Sequence, residues 1–175
     1  MGESSNTTIQ RELVGALVSI LEEQIRVYRH LLEVVRKEKE ILVSANLDDL
    51  NENNRAKEAM LIKVRELEAQ RLEAAGRLYD GLNLQGENPR LLEMARHLEA
   101  DSADKLRNIH SVLELLLKRV QEYNRQNEAL VQSALKNITG AMNAIKGTLS
   151  EKATYQKKGE VEGVTHAGQL VSREA

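Results

Sequence analysis

Residues 13–43 read LVGALVSILEEQIRVYRHLLEVVRKEKEILV, and many of their apolar side chains recur at alternating steps of four and three residues. One stripe holds Leu13, Leu17, Ile20, Val27, Leu31, Val34 and Ile41. A neighbouring row holds Val14, Val18, Leu21, Ile25, Tyr28, Leu32, Val35 and Leu42. These steps match the turn of an α-helix, and the two rows are wider than a two-stranded coiled-coil seam. The stretch therefore predicts a first helix, capped at Thr7, that is central to a bundle.

A second amphipathic stretch follows a short polar break. Asn46 is predicted to cap this second helix, because Asp49 supplies negative charge to its positive first turn. The helix is expected to run to about Tyr79. Its stripe is interrupted by polar residues that set register rather than add stability, namely Asn53, Asn54, Lys57 and Arg71. The short connection predicts that the first two helices form an antiparallel hairpin.

The hairpin is expected to end in a loop between Asp80 and Asn88, which is rich in Gly and Asn. Gly81 fits a left-handed residue at the end of the second helix. Asn88 is predicted to cap the third helix, with Pro89 preset at its first position.

The third helix either runs on or breaks near Asp101 and Ser102, and it is expected to end at Lys146 and Gly147. Residues 148–175 have no helical period, so they predict a flexible C-terminal tail. The fold class is therefore all-α: a long antiparallel helical hairpin plus a third long helix in a coiled-coil-like bundle. Residues 1–147 are expected to form the bundle domain.

The composition excludes several classes of function. The 175 residues include no Phe, Trp or Cys, and 25 Lys and Arg stand against 27 Asp and Glu, for a net charge of −2. Nothing in this balance favours nucleic acid or an anionic membrane surface. Without cysteine there are no disulfides, and without a long apolar run no stable membrane insertion is expected. We expect a cytoplasmic protein.

The residues that carry chemistry form no recognisable site. The four histidines never follow a Glu by three positions and have no zinc-ligand spacing, and the glycines form no phosphate-binding loop. No catalytic, cofactor-binding or metal-binding residues are predicted, and the protein is not expected to be an enzyme.

Two stretches are candidates for binding a protein partner. Asn124 and Asn127 lie three residues apart on the third helix, where they either bond across a helix interface or face water. The tail carries Tyr155, Val161 and Val164 among glycines and charges. Such spaced apolar residues are typical both of an inert terminus and of a short recognition segment.

The order of these features resembles that of the FlgN-like flagellar export chaperones along nearly the whole chain. The matching features are a long first helix, a short polar connection, and the pair Lys57-Glu58 near the start of the second helix. The third helix carries an Asn-x-x-Asn-x-x-Leu element, here Asn124, Asn127 and Leu130. The tail has an element like Tyr-Gly-x-x-Gly from Tyr155 to Gly159, with Gln156 where glycine is usual.

The resemblance implies a cytoplasmic chaperone that holds hook-associated proteins, which form the hook-filament junction, through their terminal helices and delivers them to the flagellar export gate. The third helix is then expected to cradle the cargo, and Tyr155 to dock on the gate. Under this reading the partner-binding residues are Asn124, Asn127, Leu130, Val131, Leu135, Ile138, Met142, Ile145, Tyr155, Val161 and Val164.

Two other readings of the sequence remain open. A structural coiled-coil protein would form a homo-oligomer through the first helix. A lipid-binding amphipathic bundle would need basic polar faces, whereas acidic residues accompany the basic ones throughout this chain.

Overall fold

The computed structural model describes the backbone of residues 2–84 and 89–159, and the side chains of residues 8–84 and 89–149. It contains the helices α1 (Gly2–Ser44), α2 (Leu47–Gly81), α3 (Leu91–Ala95) and α4 (Ala100–Gly159). No β-strand occurs in these described ranges. The all-α prediction is confirmed, with α1 and α2 as the antiparallel hairpin. The chain divides into two compact units, Met1–Leu130 and Val131–Ala175.

The connection between α1 and α2 forms as the sequence predicts. The Asn46 side-chain oxygen accepts hydrogen bonds from the backbone N–H groups of Asp48 at 3.1 Å and Asp49 at 3.3 Å. The Asn46 amide also donates to the Asp49 carboxylate at 2.8 Å. Two of the N–H groups that a helix start leaves open are therefore satisfied by one side chain.

The predicted start of α1 at Thr7 is wrong, because the helix already begins at Gly2. The residues before Thr7 include no proline, and Ser or Asn inside a helix costs well under about 1 kcal/mol relative to Ala. A pattern of capping residues therefore does not by itself start a helix.

The end of α2 also differs from the prediction. Gly81 is the last helical residue, and Asn83 takes the left-handed conformation, with φ 53°. The Leu84 N–H donates to the Tyr79 carbonyl at 3.2 Å, and the Asn83 N–H donates to the Asp80 carbonyl at 3.0 Å. These two bonds form a Schellman motif around Asn83.

Gly81 has a packing role in place of the predicted turn role. A Cβ added at Gly81 would lie 3.1 Å from Cδ1 of Leu13 on α1. The missing side chain therefore leaves room at the end of α2 for the tip of the Leu13 side chain, which would have to shift if a Cβ were present.

The third helical segment is broken, which resolves the alternative left open by the sequence. The break covers residues 96–99 and precedes the predicted position at Asp101 and Ser102. Pro89 is not the first residue of α3, since the helix begins at Leu91 after Arg90. Asn88, the predicted cap, lies outside the described residues.

The predicted helix end at Lys146 and Gly147 is wrong, because α4 continues to Gly159. A single glycine inside a helix costs only about 1 kcal/mol relative to alanine, and helix-forming residue types follow at 151–153. The first part of the predicted tail is therefore helical, and residues 160–175 lie outside the described residues.

The core of the first unit consists of two apolar clusters. In the larger one, side chains from all four helices are fully buried, including Leu17, Leu21, Leu78, Met94 and Leu106. Each such side chain contributes about 2 kcal/mol by leaving water. The smaller cluster contains Leu31, Val35 and Val120. It joins α1 to α4 further along the hairpin, and Met60 of α2 packs against it.

Candidate partner-binding surface

One polar layer joins three helices of the first unit. The Glu38 carboxylate of α1 accepts hydrogen bonds from Lys57 of α2 at 2.7 Å and from the Asn127 amide of α4 at 3.1 Å. The same Asn127 nitrogen lies 2.9 Å from the Val35 carbonyl oxygen of α1. Asn127 is only 3% exposed. Of the two environments considered for Asn127, the structure therefore shows the helix interface, and its contacts are to α1.

A second polar layer lies nearer the other end of the hairpin. The buried Gln24 amide donates to the Glu68 carboxylate at 3.1 Å, and Arg71 pairs with the same carboxylate at 2.6 Å. The bond from Arg71 holds the pKa of Glu68 below its usual value. The pKa of the neighbouring Tyr28 phenol is raised, and burial is the largest cause of this shift. These residues border an open cleft of about 460 Å³, but their charges are already paired with each other.

The charged and polar groups of the described residues do not form a metal centre. No group of three or more His, Asp or Glu side chains is positioned there to hold an ion. The polar layers act as register contacts between helices: Glu38 of α1 joins α2 to α4, and Glu68 of α2 bonds to Gln24 of α1.

A continuous apolar surface lies on α4 within the second unit. Its large apolar side chains are between 41% and 63% exposed. We call this set the α4 apolar face: Val131, Leu135, Ile138, Met142, Ile145 and Leu149. The residues follow one another at steps of four, three, four, three and four, the spacing of a coiled-coil seam. Over the described residues, this seam has no facing helix, since all six side chains are exposed.

The structure separates the predicted partner-binding residues into distinct groups. Val131, Leu135, Ile138, Met142 and Ile145 share the α4 apolar face. Asn124 is exposed, Leu130 is partly buried and Asn127 is buried, all within the first unit. Tyr155 lies in α4, but its side chain is outside the described set, and Val161 and Val164 lie outside the described residues altogether.

Leu149 belongs to the same face, although it was not among the predicted site residues. It is 63% exposed and follows Ile145 by four residues. The periodicity could have identified it, but the predicted helix end at Gly147 placed it outside the helix.

No helix among the described residues contains a stretch that is both long and apolar enough to cross a bilayer.

Fold and surface together define a class: an all-α bundle protein with an exposed, heptad-spaced helix face of the kind that receives another helix. The family model described as FlgN protein matches residues 13–163, which is more than half of the chain. The chain therefore belongs to the FlgN family, and membership implies a role as a flagellar type III export chaperone. The match extends over Tyr155 and Val161. Comparison with curated proteins and with solved structures finds no match.

Proposed function

We propose that this protein is a cytoplasmic export chaperone that binds hook-associated proteins through their terminal helices, prevents their premature assembly and delivers them to the export gate. The observation that carries the proposal is the α4 apolar face, in which six large side chains are between 41% and 63% exposed. Contiguous exposed apolar surface on a protein in water is typical of a site that another protein covers.

The spacing of the face supports a helical cargo. A partner helix can insert apolar side chains between residues that repeat at alternating steps of four and three. The face runs over 18 residue steps from Val131 to Leu149, which corresponds to about 27 Å of helix. A cargo helix of about five turns would cover it. Assembly-prone terminal helices, whose apolar faces pair after export, are clients of this kind.

The proposal is tested by placing a carboxylate on the α4 apolar face. The variant Ile138→Asp, with Leu135→Asp as a second example, should weaken the binding of a hook-associated protein's terminal segments by about 100-fold, because a buried unpaired charge costs several kcal/mol. Binding is measured by calorimetry after a pulldown. Because Ile138 is 58% exposed, helicity by circular dichroism should stay unchanged.

The matched control is Asn143→Asp, which adds the same charge outside the α4 apolar face. Asn143 is exposed and lies about 120° from the centre of the face on a helix of 3.6 residues per turn. Its affinity should stay within about twofold of the parent protein. Unchanged binding by Ile138→Asp would disprove the proposed cargo site.

For gate docking we propose Tyr155, because the family match extends over this residue. Tyr155→Ala should weaken binding to the purified gate component by about tenfold and leave cargo affinity unchanged, as expected when an aromatic contact is lost. Gate binding equal to that of the parent chain would count against this assignment.

A structural coiled-coil protein is the second candidate, although not through the first helix as expected from the sequence, because the apolar rows of α1 are largely buried within the chain's own bundle. The heptad spacing of the α4 apolar face fits a second copy of the chain instead. Sedimentation equilibrium distinguishes the two candidates. A stable homo-oligomer that Ile138→Asp dissociates would support the structural role, whereas a monomer that binds cargo supports the chaperone.

A further inference from the structure

The surface beside the α4 apolar face is not the same on its two sides. On an ideal helix, Ala141 and Thr139 lie about 80° on either side of the centre of the face. On one side the row contains Ala134 and Ala141, which we call the alanine shoulder, and then Thr148, whose hydroxyl bonds to the Ile145 carbonyl of its own helix. The other side carries the polar residues Gln132, Thr139 and Lys146. Both alanines of the shoulder are exposed.

This asymmetry makes the apolar surface broader than one partner helix requires. A strict seam of alternating steps is the pattern of a helix that pairs with one other helix. A seam widened by one further position on the same side is the pattern of a helix that packs against two neighbours in a bundle. Alanine at that position lets the axis of the second neighbour approach closely, since interaxial distance depends on the side chains at the contact.

Charge around the face indicates what such helices should carry. No Asp or Glu occurs between Glu128 and Glu151, and the charged residues of this interval are Lys136 and Lys146. The whole chain, in contrast, has a net charge of −2. A second copy of residues 129–150 pairing with this stretch would bring only further lysines to the interface, so this pairing would gain no charge attraction there. An acidic partner would gain it, with Lys146 on the edge of the seam.

We propose that the α4 apolar face binds a pair of amphipathic helices with net negative charge, one along the seam and the other over the alanine shoulder. This inference rests on the proposed function and specifies its cargo: both terminal segments of one exported protein bind together, rather than one segment alone. Ala134 and Ala141 are then specificity-determining residues of the chaperone.

The test compares two substitutions that add the same charge at equal angles from the centre of the face. Ala141→Glu should weaken binding of the paired N- and C-terminal segments of a hook-associated protein by about tenfold or more, whereas Thr139→Glu should weaken it by less than about threefold. Both are measured by calorimetry on the full chain. Glutamate is a good helix former, so α4 should be retained in both variants.

The segments added singly and together provide the second arm. Together they should bind at least about tenfold more tightly than either alone, and Ala141→Glu should remove that gain. Raising the salt concentration and Lys146→Gln should each weaken the paired complex.

Equal effects of Ala141→Glu and Thr139→Glu, or no gain from adding the second segment, would overturn the two-helix inference while leaving a one-helix chaperone intact. If Ile138→Asp also binds like the parent protein, the proposed function itself fails. An affinity that does not change with salt concentration would show that the cargo helices are not recognised by negative charge.

Discussion

Asn127 of α4 bonds to the Glu38 carboxylate of α1, which also accepts a hydrogen bond from α2. Its amide nitrogen is within hydrogen-bond distance of both the Val35 carbonyl and Glu38, while its own side-chain oxygen has no hydrogen-bond partner among the described residues. Both bonds reach α1 only while α4 keeps its position along α1, so Asn127 opposes any sliding of α4 along α1. Asn127 therefore fixes the register of the residues that precede the α4 apolar face.

The variant Asn127→Ala should lower the free energy of unfolding by about 1–3 kcal/mol, because it removes two hydrogen bonds and leaves a small cavity. Asn124→Ala is the matched control on the same helix, since Asn124 is exposed and should change stability by less than about 0.5 kcal/mol. Urea denaturation followed by circular dichroism measures both values. Equal effects of the two substitutions would show that the interhelical bonds of Asn127 are not significant in solution.

At the scale of the helices, the end of α2 depends on one residue with unusual backbone geometry. Asn83 has φ 53°, a conformation that alanine adopts at a cost of about 1–2 kcal/mol and glycine adopts freely. Asn83→Ala should therefore destabilise the protein by about 1 kcal/mol, whereas Asn83→Gly should be neutral or slightly stabilising. Exposed Asn54 in α2 provides the control substitution Asn54→Ala. Thermal melts that rank Asn83→Gly below Asn83→Ala would contradict this account.

The helices themselves were predictable from the sequence, but their ends were only partly so. The periodicity of apolar residues identifies a buried face from many positions at once, so a single residue that departs from the pattern does not change the assignment. The buried stripe of α1 was assigned correctly for this reason. A helix end depends on one or two residues and on what packs there. Asn46 acts through its own neighbours and was predicted, whereas Gly81 is explained by Leu13, which is far away in sequence.

The candidate site shows the same division. The sequence placed Leu135 and Met142 on one apolar face of the third helix and Ile138 on the adjacent one, and it led to the expectation that one face stays available for cargo. Periodicity alone did not indicate which face is exposed, because a seam that faces solvent and a seam that faces another helix have the same pattern. The role of Asn127 was likewise undecided, since its partner Glu38 lies 89 positions away.

At the scale of the whole molecule, the stability and the proposed cargo site belong to different parts of the chain. Both apolar clusters consist of residues between Val14 and Val120, within the first compact unit. The α4 apolar face belongs to the second unit. Its large side chains are mostly exposed, so they add little to the free energy of folding.

A fragment of residues 1–130 should therefore fold cooperatively and melt within about 4 °C of the full chain, because it keeps both clusters and both polar layers. The same fragment should lose cargo binding, since it lacks the α4 apolar face. Scanning calorimetry measures the melting temperature, and a pulldown with the terminal segments of a hook-associated protein measures cargo binding. Full-length Ile138→Asp is the control, because it retains all of α4 and should still lose cargo binding. A fragment that fails to fold would show that residues 131–175 contribute to the core. A fragment that folds and still binds cargo would place the cargo site on the first unit, where the cleft beside Glu68 and Arg71 is the next surface to test.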